Sequence, residues 1–400
     1  MKKNVFVFNP LKTFFTFIVV VVIFSFINIG LYFLSQTNSF LSPIVAGFPF
    51  LKIKGPQKII GFLPYWSVNE KLSLNYDVLD QLIYFSLTVL EDGYLLKEEY
   101  GETEPGWHHL NRPETKEIFR KLRQRRIKVF LSFSSFEASI MAEVVANESK
   151  RALLISEIKK IYELYDLDGV DIDFEYFPLY SDDQFGYNFN LFLKELKSAL
   201  KEVDSQAMIS VDIYPKAMID GQPYNLEEMV KIVDQIILMA YDFTQSRTRY
   251  TGPVAPLNKS SLDDYSISMA VNSFKLRIKD KSNQKKLILG IPLYGYKWRT
   301  IDDSYRAKSY SYLGEMISYK RAQEMIKEMN LQINWDATAS SPWISYNQNG
   351  AWWQTYFENY DSLVTKFKLA KQNSLGGIAF WALGYEEDEI DFWNYLKKNF

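Results

Sequence analysis

A chain of 400 residues, 47% hydrophobic and 16% aromatic, can bury the core of one large domain or two ordinary ones. Its 46 basic and 48 acidic residues are mixed along the chain, with no Arg-rich tract, so nothing points to nucleic acid. It has no cysteine, which excludes disulfides, a thiol nucleophile and Cys-ligated zinc. Its two histidines are the adjacent His108 and His109, which read as surface loop, so no Ser-His-Asp triad, metal site or cofactor is expected.

The first element is "TFFTFIVVVVIFSFINIGLYFL" (13–34), uncharged throughout and longer than the roughly 20 residues that cross a bilayer. Lys2, Lys3 and Lys12 precede it, which places residues 1–12 in the cytoplasm. The run exceeds the apolar core of a cleaved signal and lacks a good A-x-A site, so a retained signal anchor is preferred. Residues 35–56 read as a linker. The expected location is a single-pass cell-membrane protein with residues 57–400 extracytoplasmic, or a secreted one if the segment is cleaved.

Beyond residue 57 short β-rich runs alternate with helical ones. The strand candidates are "KIIGFLPYW" (58–66), "LDQLIYFSLTV" (79–89), "IKVFLSFSS" (127–135) and "GVDIDFEYF" (169–177). They continue with "AMISVDIYP" (207–215), "VDQIILMAYDF" (233–243), "KLILGIPLYGY" (286–296) and "LGGIAFWALGY" (375–385). Helical patterns occupy 113–126, 149–165, 184–202, 260–280, 358–371 and 386–398, with shorter ones at 70–80 and 225–232. Strands alternating with helices imply a parallel sheet, and eight such units predict an α/β (β/α)8 TIM barrel. An open doubly wound sheet needs a Gly-rich phosphate turn after an early strand, and none is present.

The gap between the seventh and eighth strands is too long for one helix. It holds a helical "SYKRAQEMIKEMN" (318–330) and the run "SSPWISYNQNGAWWQTYFEN" (340–359), in which Asn-Gly favours a tight hairpin turn. A small α+β insertion at about 299–358 is expected, walling one side of a cleft.

The fourth strand carries the chemistry. Side chains alternate along a strand, so Asp171, Asp173 and Glu175 share one face while Val170, Ile172 and Phe174 share the other. In a barrel the acids point inward, and Glu175 sits at the C-terminal end, where such barrels keep their catalytic groups. Crowded carboxylates on a low-dielectric wall cannot all ionise, so at least one holds its proton near neutral pH. From the acids alone three readings stand: a glycosidase with Glu175 as general acid, a hard-cation site with oxygen ligands, or a structural carboxylate network.

"DGVDIDFE" (168–175) resembles the DGxDxDxE signature of glycoside hydrolase family 18, the chitinase family. "LMAYD" (238–242), "GIPLYGYKW" (290–298) and "GGIAFWALG" (376–384) resemble its M-x-Y-D, G-x-P-x-Y-G and GGxxxWxL motifs, in family order. "GFLPYW" (61–66) resembles the first strand of bacterial members that degrade cell-wall glycans. The resemblance implies substrate-assisted retaining hydrolysis of a β-1,4-linked, GlcNAc-containing polysaccharide, outside the usual two-carboxylate scheme. It makes Glu175 the general acid/base, Asp173 the partner of the 2-acetamido group, Asp171 part of the proton network and Tyr241 a hydrogen-bond partner of the acetamido oxygen. Asp242, Met239, Trp381, Trp66 and Tyr294 are its substrate-binding candidates, and Asp168, out of phase with the inward face, is structural.

The sequence departs from the family in two places. Ser134 and Ser135 stand where glycines are frequent, and Phe62 stands where many chitinases have tyrosine. Phe85 and Ser86 align ambiguously. A membrane anchor favours peptidoglycan over bulk chitin as substrate. A non-catalytic, lectin-like use of the barrel is the alternative.

Overall fold

The computed structural model describes residues 57–69, 71–175, 183–386 and 390–400. The expected anchor at 13–34 lies outside them, and among the described residues no helix is long and apolar enough to cross a membrane.

Eight parallel strands close into a barrel. They are β1 (Lys58–Pro64), β2 (Gln81–Thr88), β3 (Lys128–Ser135), β4 (Gly169–Phe174), β5 (Met208–Ile213), β6 (Gln235–Leu238), β7 (Leu287–Pro292) and, after an insertion, β13 (Gly377–Trp381). Each pairs with its neighbours in sequence, and β13 closes onto β1. Helices return the chain between strands: α1 (Pro113–Gln124), α2 (Glu148–Leu164), α3 (Asp183–Val203), α4 (Leu226–Ile232) and α5 (Ile267–Arg277). The strands are covered on both faces, which is why they read as near-continuous apolar runs.

The interior is a packed core of its own. Ile60, Phe62, Ile83, Phe85, Phe130, Ile237, Ile288 and Ala379 fill it. At the N-terminal ends of the strands, Gln81 and Gln235 exchange amide hydrogen bonds of 3.1 and 3.0 Å, so this buried polar pair is satisfied. Gly169 opens β4 because the Phe130 ring occupies its side-chain space; a Cβ there would lie 2.3 Å from the ring. The phenyl plug leaves Asp171 and Asp173 to line the upper half of the bore.

The insertion is a five-stranded antiparallel sheet in the order β9–β8–β12–β11–β10. Its strands are β8 (Tyr294–Thr300), β9 (Ser309–Ser318), β10 (Asn334–Asp336), β11 (Ser341–Gln348) and β12 (Ala351–Tyr356), with α6 (Tyr319–Glu328) packed on it through Ala322 and Met325. The hairpin turns at Asn349 and Gly350, whose φ angles of 54° and 82° are both positive, as the tight turn requires. Arg306 ties the sheet to the barrel. Its buried guanidinium meets Asp263, ahead of α5, at 2.5 Å and Asp336 of β10 at 3.3 Å. Helices α7 (Tyr360–Gln372) and α8 (Ile390–Asn399) flank β13.

Three expectations are corrected. Residues 71–80 form turns, not a helix: the Asn69 side chain accepts from Lys71 N–H, and Val78 N–H bonds back to Asn75. The run 286–296 is two strands. Pro292 has no N–H to continue the ladder, Leu293 N–H turns aside to Trp381 O, and Tyr294 opens the insertion, which therefore starts five residues earlier than expected. His108 and His109 lie on a short helix (Pro105–Leu110), with the His109 ring 5.8 Å from Tyr65.

Candidate active site

β4 aims its acids into the bore, and its neighbours meet them in register. Asp171 lies beside Ser132 of β3 and Ser210 of β5, and Asp173 beside Ser134. The Ser210 hydroxyl donates to Asp171 Oδ1 at 2.5 Å. Two residues above Ser210, on the same face, is Asp212. Glu175 follows the last residue of β4. Its N–H donates to Ser135 O at 3.2 Å, and the Tyr224 hydroxyl donates to the carbonyl of Phe174, so the strand end that carries the acid is held on both sides.

Above these groups opens a cavity of about 340 Å³. Its lining combines Asp173, Asp212, Glu175, Tyr241, Asp242, Met239 and Tyr294 with the rings of Trp66, Phe85 and Trp381. The Trp381 ring lies 4.6 Å from Phe85, 5.7 Å from Phe62 and 6.3 Å from Trp66, centroid to centroid. Trp66, 47% exposed, is fixed by its Nε1–H to Tyr385 Oη, 3.2 Å. Aromatic rings beside polar groups suit a sugar, whose ring has an apolar face and a rim of hydroxyls.

The electrostatics are dominated by burial without a counter-charge. Burial lifts Asp171 to about 6, moderated by the Ser210 hydroxyl. Asp173 is pushed well above the usual carboxylate range by burial and then by Glu175 and Asp171. Asp212 is raised by burial, Asp171, Asp173 and Glu175 in that order. Glu175, half-buried at the lip, is raised to about 7 by burial and by Asp242. One oxygen each of Asp171, Asp173 and Asp212 is buried without a hydrogen-bond partner among the described residues. Such a set holds shared protons at neutral pH, because ionising every member in a dry site is prohibitive.

Tyr241 and Asp242 stand where the chain leaves β6. Tyr241 is kept protonated by burial and by Asp212, Asp173 and Glu175 around it, so its hydroxyl is a donor. Asp242 has φ 55°, a left-handed conformation costing about 1–2 kcal/mol. Two phenols of the insertion hold it there: Tyr294 donates to Oδ1 at 2.5 Å and Tyr296 at 3.1 Å. Gly290 lets β7 approach the end of β6: a Cβ there would stand 2.5 Å from the Leu238 carbonyl oxygen and 3.3 Å from the Tyr241 ring edge.

The structure thus brings Asp173, Glu175, Tyr241, Asp242, Met239, Trp66, Tyr294 and Trp381 around one cavity and sets Asp171 beneath it. Asp168 is outside the group, its carboxylate accepting Val129 N–H at 2.8 Å. The two serines have defined places: Ser134 Oγ pairs with Ser86 Oγ at 2.8 Å in the cavity wall, and Ser135 supplies the carbonyl that holds Glu175. Phe62 lies under Trp381, not on the lining. Asp212, Glu104 and Tyr296 join the site without a sequence assignment, and Phe85 and Ser86, ambiguous in the sequence, are on its lining. For Asp212 a signal exists, a lone acid in phase with the inward face of the apolar run "ISVDI". Among the described residues no group of three or more His, Asp or Glu is arranged to hold a metal ion.

A parallel barrel with a carboxyl at the C-terminal mouth of β4, in a cavity lined by aromatic rings, has its candidate site where barrel enzymes keep their catalytic groups. The family profile of glycosyl hydrolases family 18 matches residues 58–386, so the chain belongs to that family and is a glycoside hydrolase. It is 26% identical over 268 residues to a probable di-N-acetylchitobiase 1 of Dictyostelium discoideum, covering 62% of this chain and 70% of that protein. It is 25% identical over 272 residues to a cortical fragment-lytic enzyme of Bacillus anthracis, covering 66% of this chain and 57% of that one. The fold is shared with the family 18 chitinase of Cycas revoluta solved with (GlcNAc)3, at TM-score 0.70 and 21% identity over 86% of this chain and 99% of that one. It is also shared with the Bacillus cereus spore cortex-lytic enzyme SleL, at TM-score 0.68 and 21% identity over 86% and 74% of the two chains.

Proposed function

We propose that this glycosidase cleaves β-1,4-linked, GlcNAc-containing glycans with retention, using the substrate's own acetamido group as nucleophile and Glu175 as general acid/base. The observation that carries the reading is Glu175 itself. It is a half-buried carboxyl at the cavity lip, raised to about 7, beside Tyr241 and above a buried acid cluster. Protonated Glu175 gives its proton to the glycosidic oxygen while the acetamido oxygen attacks the anomeric carbon. The departing sugar leaves Glu175 ionised; it then takes a proton from the incoming water as the water oxygen bonds to the anomeric carbon and the acetamido oxygen leaves it, restoring the acetamide and the protonated acid. Asp173 faces the positive charge that grows on the acetamido group. Its shared proton moves toward Asp171 and Asp212 as that charge appears. Tyr241 donates to the acetamido oxygen, and Trp381 carries the ring of the cleaved sugar.

Peptidoglycan is the preferred polymer. Residues 13–34, an uncharged run after three lysines, are proposed to anchor the enzyme with its barrel outside the cytoplasm, next to that polymer. The enzyme names of the relatives do not favour a lectin-like use of the barrel. The test is hydrolysis of GlcNAc oligomers and of purified peptidoglycan by the full chain and by Glu175→Gln. Equal turnover by the two rejects Glu175 as the acid. A thiazoline mimic of the cyclised acetamido intermediate is expected to inhibit competitively; an active enzyme indifferent to it rejects the substrate-assisted route.

A further inference from the structure

Beside the acid cavity lies a larger one of about 620 Å³, and the two share Asp242 as a common wall. Its far side is the segment after β6, residues 243–251. The insertion grips the backbone of this segment: Ser246 O accepts from Gly314 N–H at 2.8 Å and from the Trp298 indole at 3.0 Å. Arg249 O accepts from Ser309 N–H at 2.9 Å, and Thr251 N–H donates to Ala307 O at 3.0 Å. With the backbone so held, Arg247 and Arg249 stand exposed on the cavity lining, and neither forms an ion pair among the described residues. Arg249 lies 5.6 Å over the Tyr250 ring, which leaves the edge of its guanidinium free.

The acids of this cavity are mostly engaged elsewhere. Asp263 is taken by Arg306 and Ser260, and Asp242 by two phenols. Asp264, exposed, is the remaining one, so two open guanidinium groups face one open carboxylate. A neutral sugar chain presents hydroxyls, for which neutral amides suffice. Planar guanidinium forks match carboxylates, two N–H bonds to two oxygens. Tyr250 and Tyr305, 51% and 46% exposed, add aromatic surface for the ring that carries the acid.

We propose that this cavity is a subsite for a carboxylate borne by the glycan, read by Arg247 and Arg249. The inference rests on the glycan-hydrolase reading above and adds to it the group on the strand that is recognised: a free carboxylate on the sugar, as on strands whose peptides have been removed.

The test uses the full chain and three substrates: peptide-free strands of alternating GlcNAc and N-acetylmuramic acid, the same strands with the lactyl carboxyl converted to an amide, and the GlcNAc tetramer. The wild type is expected to show a higher kcat/KM on the acid strand than on its amide, with the gap closing as salt rises. The double variant Arg247→Gln/Arg249→Gln is expected to lose about tenfold on the acid strand, a size typical of charged hydrogen bonds, and less than about twofold on the other two. Equal wild-type rates on acid and amide strands overturn the proposal, as does a loss shared equally by all three substrates. Should the wild type cleave none of them, the hydrolase reading fails on its own. The subsite is then judged by equilibrium binding, where the acid strand must outbind its amide in the wild type and not in the double variant.

Discussion

Two clusters of buried acids lie a short way apart and are treated in opposite ways. Asp171, Asp173, Asp212 and Glu175 face one another, and no cation among the described residues contributes to the shift of any of them. Asp263 and Asp336 flank the Arg306 guanidinium, with Tyr305 donating to Asp336 at 2.6 Å. In the first cluster every carboxyl is driven toward its protonated form. In the second, Asp263 is held below the usual range by its hydrogen bonds with Arg306 and Ser260, against the pull of burial. The same residue type thus does two jobs. A buried acid with a guanidinium fastens two parts of the fold; a buried acid without one stores a proton and awaits a charge that substrate supplies.

That contrast can be broken at several points. The largest effect is expected from Glu175→Gln, which removes the transferable proton and should cut kcat by about 10²–10⁴-fold with an unchanged circular dichroism spectrum. A loss below tenfold would put the acid elsewhere. Next is Arg306→Met, which leaves Asp263 and Asp336 buried and uncompensated. Chemical denaturation should show roughly 3–5 kcal/mol less stability. If the loss is near zero, water already reaches that cluster.

The third is a pH profile. Glu175 acts protonated and is raised to about 7, so kcat/KM should hold below pH 7 and fall about tenfold per unit above it. The fourth separates the clusters by stability. A raised carboxyl such as Asp212 binds its proton more tightly folded than unfolded, so its contribution is lost as pH climbs from the ordinary carboxyl range through the folded value. Asp212→Asn removes that loss and should raise Tm at pH 8 by a few degrees and leave Tm at pH 4 alone. Asp263 has the opposite sign: its contribution is present above the ordinary range and disappears as pH falls below it. The smallest effect is the control, Lys231→Gln, which deletes an exposed pair with Glu228 and should leave Tm unchanged.

The acid face of β4 was legible because period two is a local property: three acids two residues apart must share a side. Its inward direction followed from the apolar partners between them. Asp212 carries only a faint signal, since a lone acid in phase with an inward face gains meaning when the pairing of β5 with β4 brings it among Asp171 and Asp173, 41 and 39 positions earlier. Arg306 is the same case, with partners 43 and 30 residues away. Composition says nothing about such distances. The strand after Pro292 was missed for a different reason. Its residues continue an apolar pattern, so only the missing proline N–H marks the point where the chain leaves the barrel. Residues 71–80 form turns through local chemistry: the Asn69 side chain accepts from Lys71 N–H, a bond that competes with helix formation.

Tyr294 and Tyr296 belong to the insertion, yet their hydroxyls fix Asp242, whose charge helps set the acidity of Glu175. The module that shapes the cleft wall therefore also reaches the proton donor. Exchanging it for the corresponding module of a relative would transplant a grip on Asp242 together with a specificity surface. A chimaera of that kind should shift its pH optimum along with its substrate range, so that the two properties travel as one unit through any recombination that keeps the barrel and replaces what sits between β7 and β13.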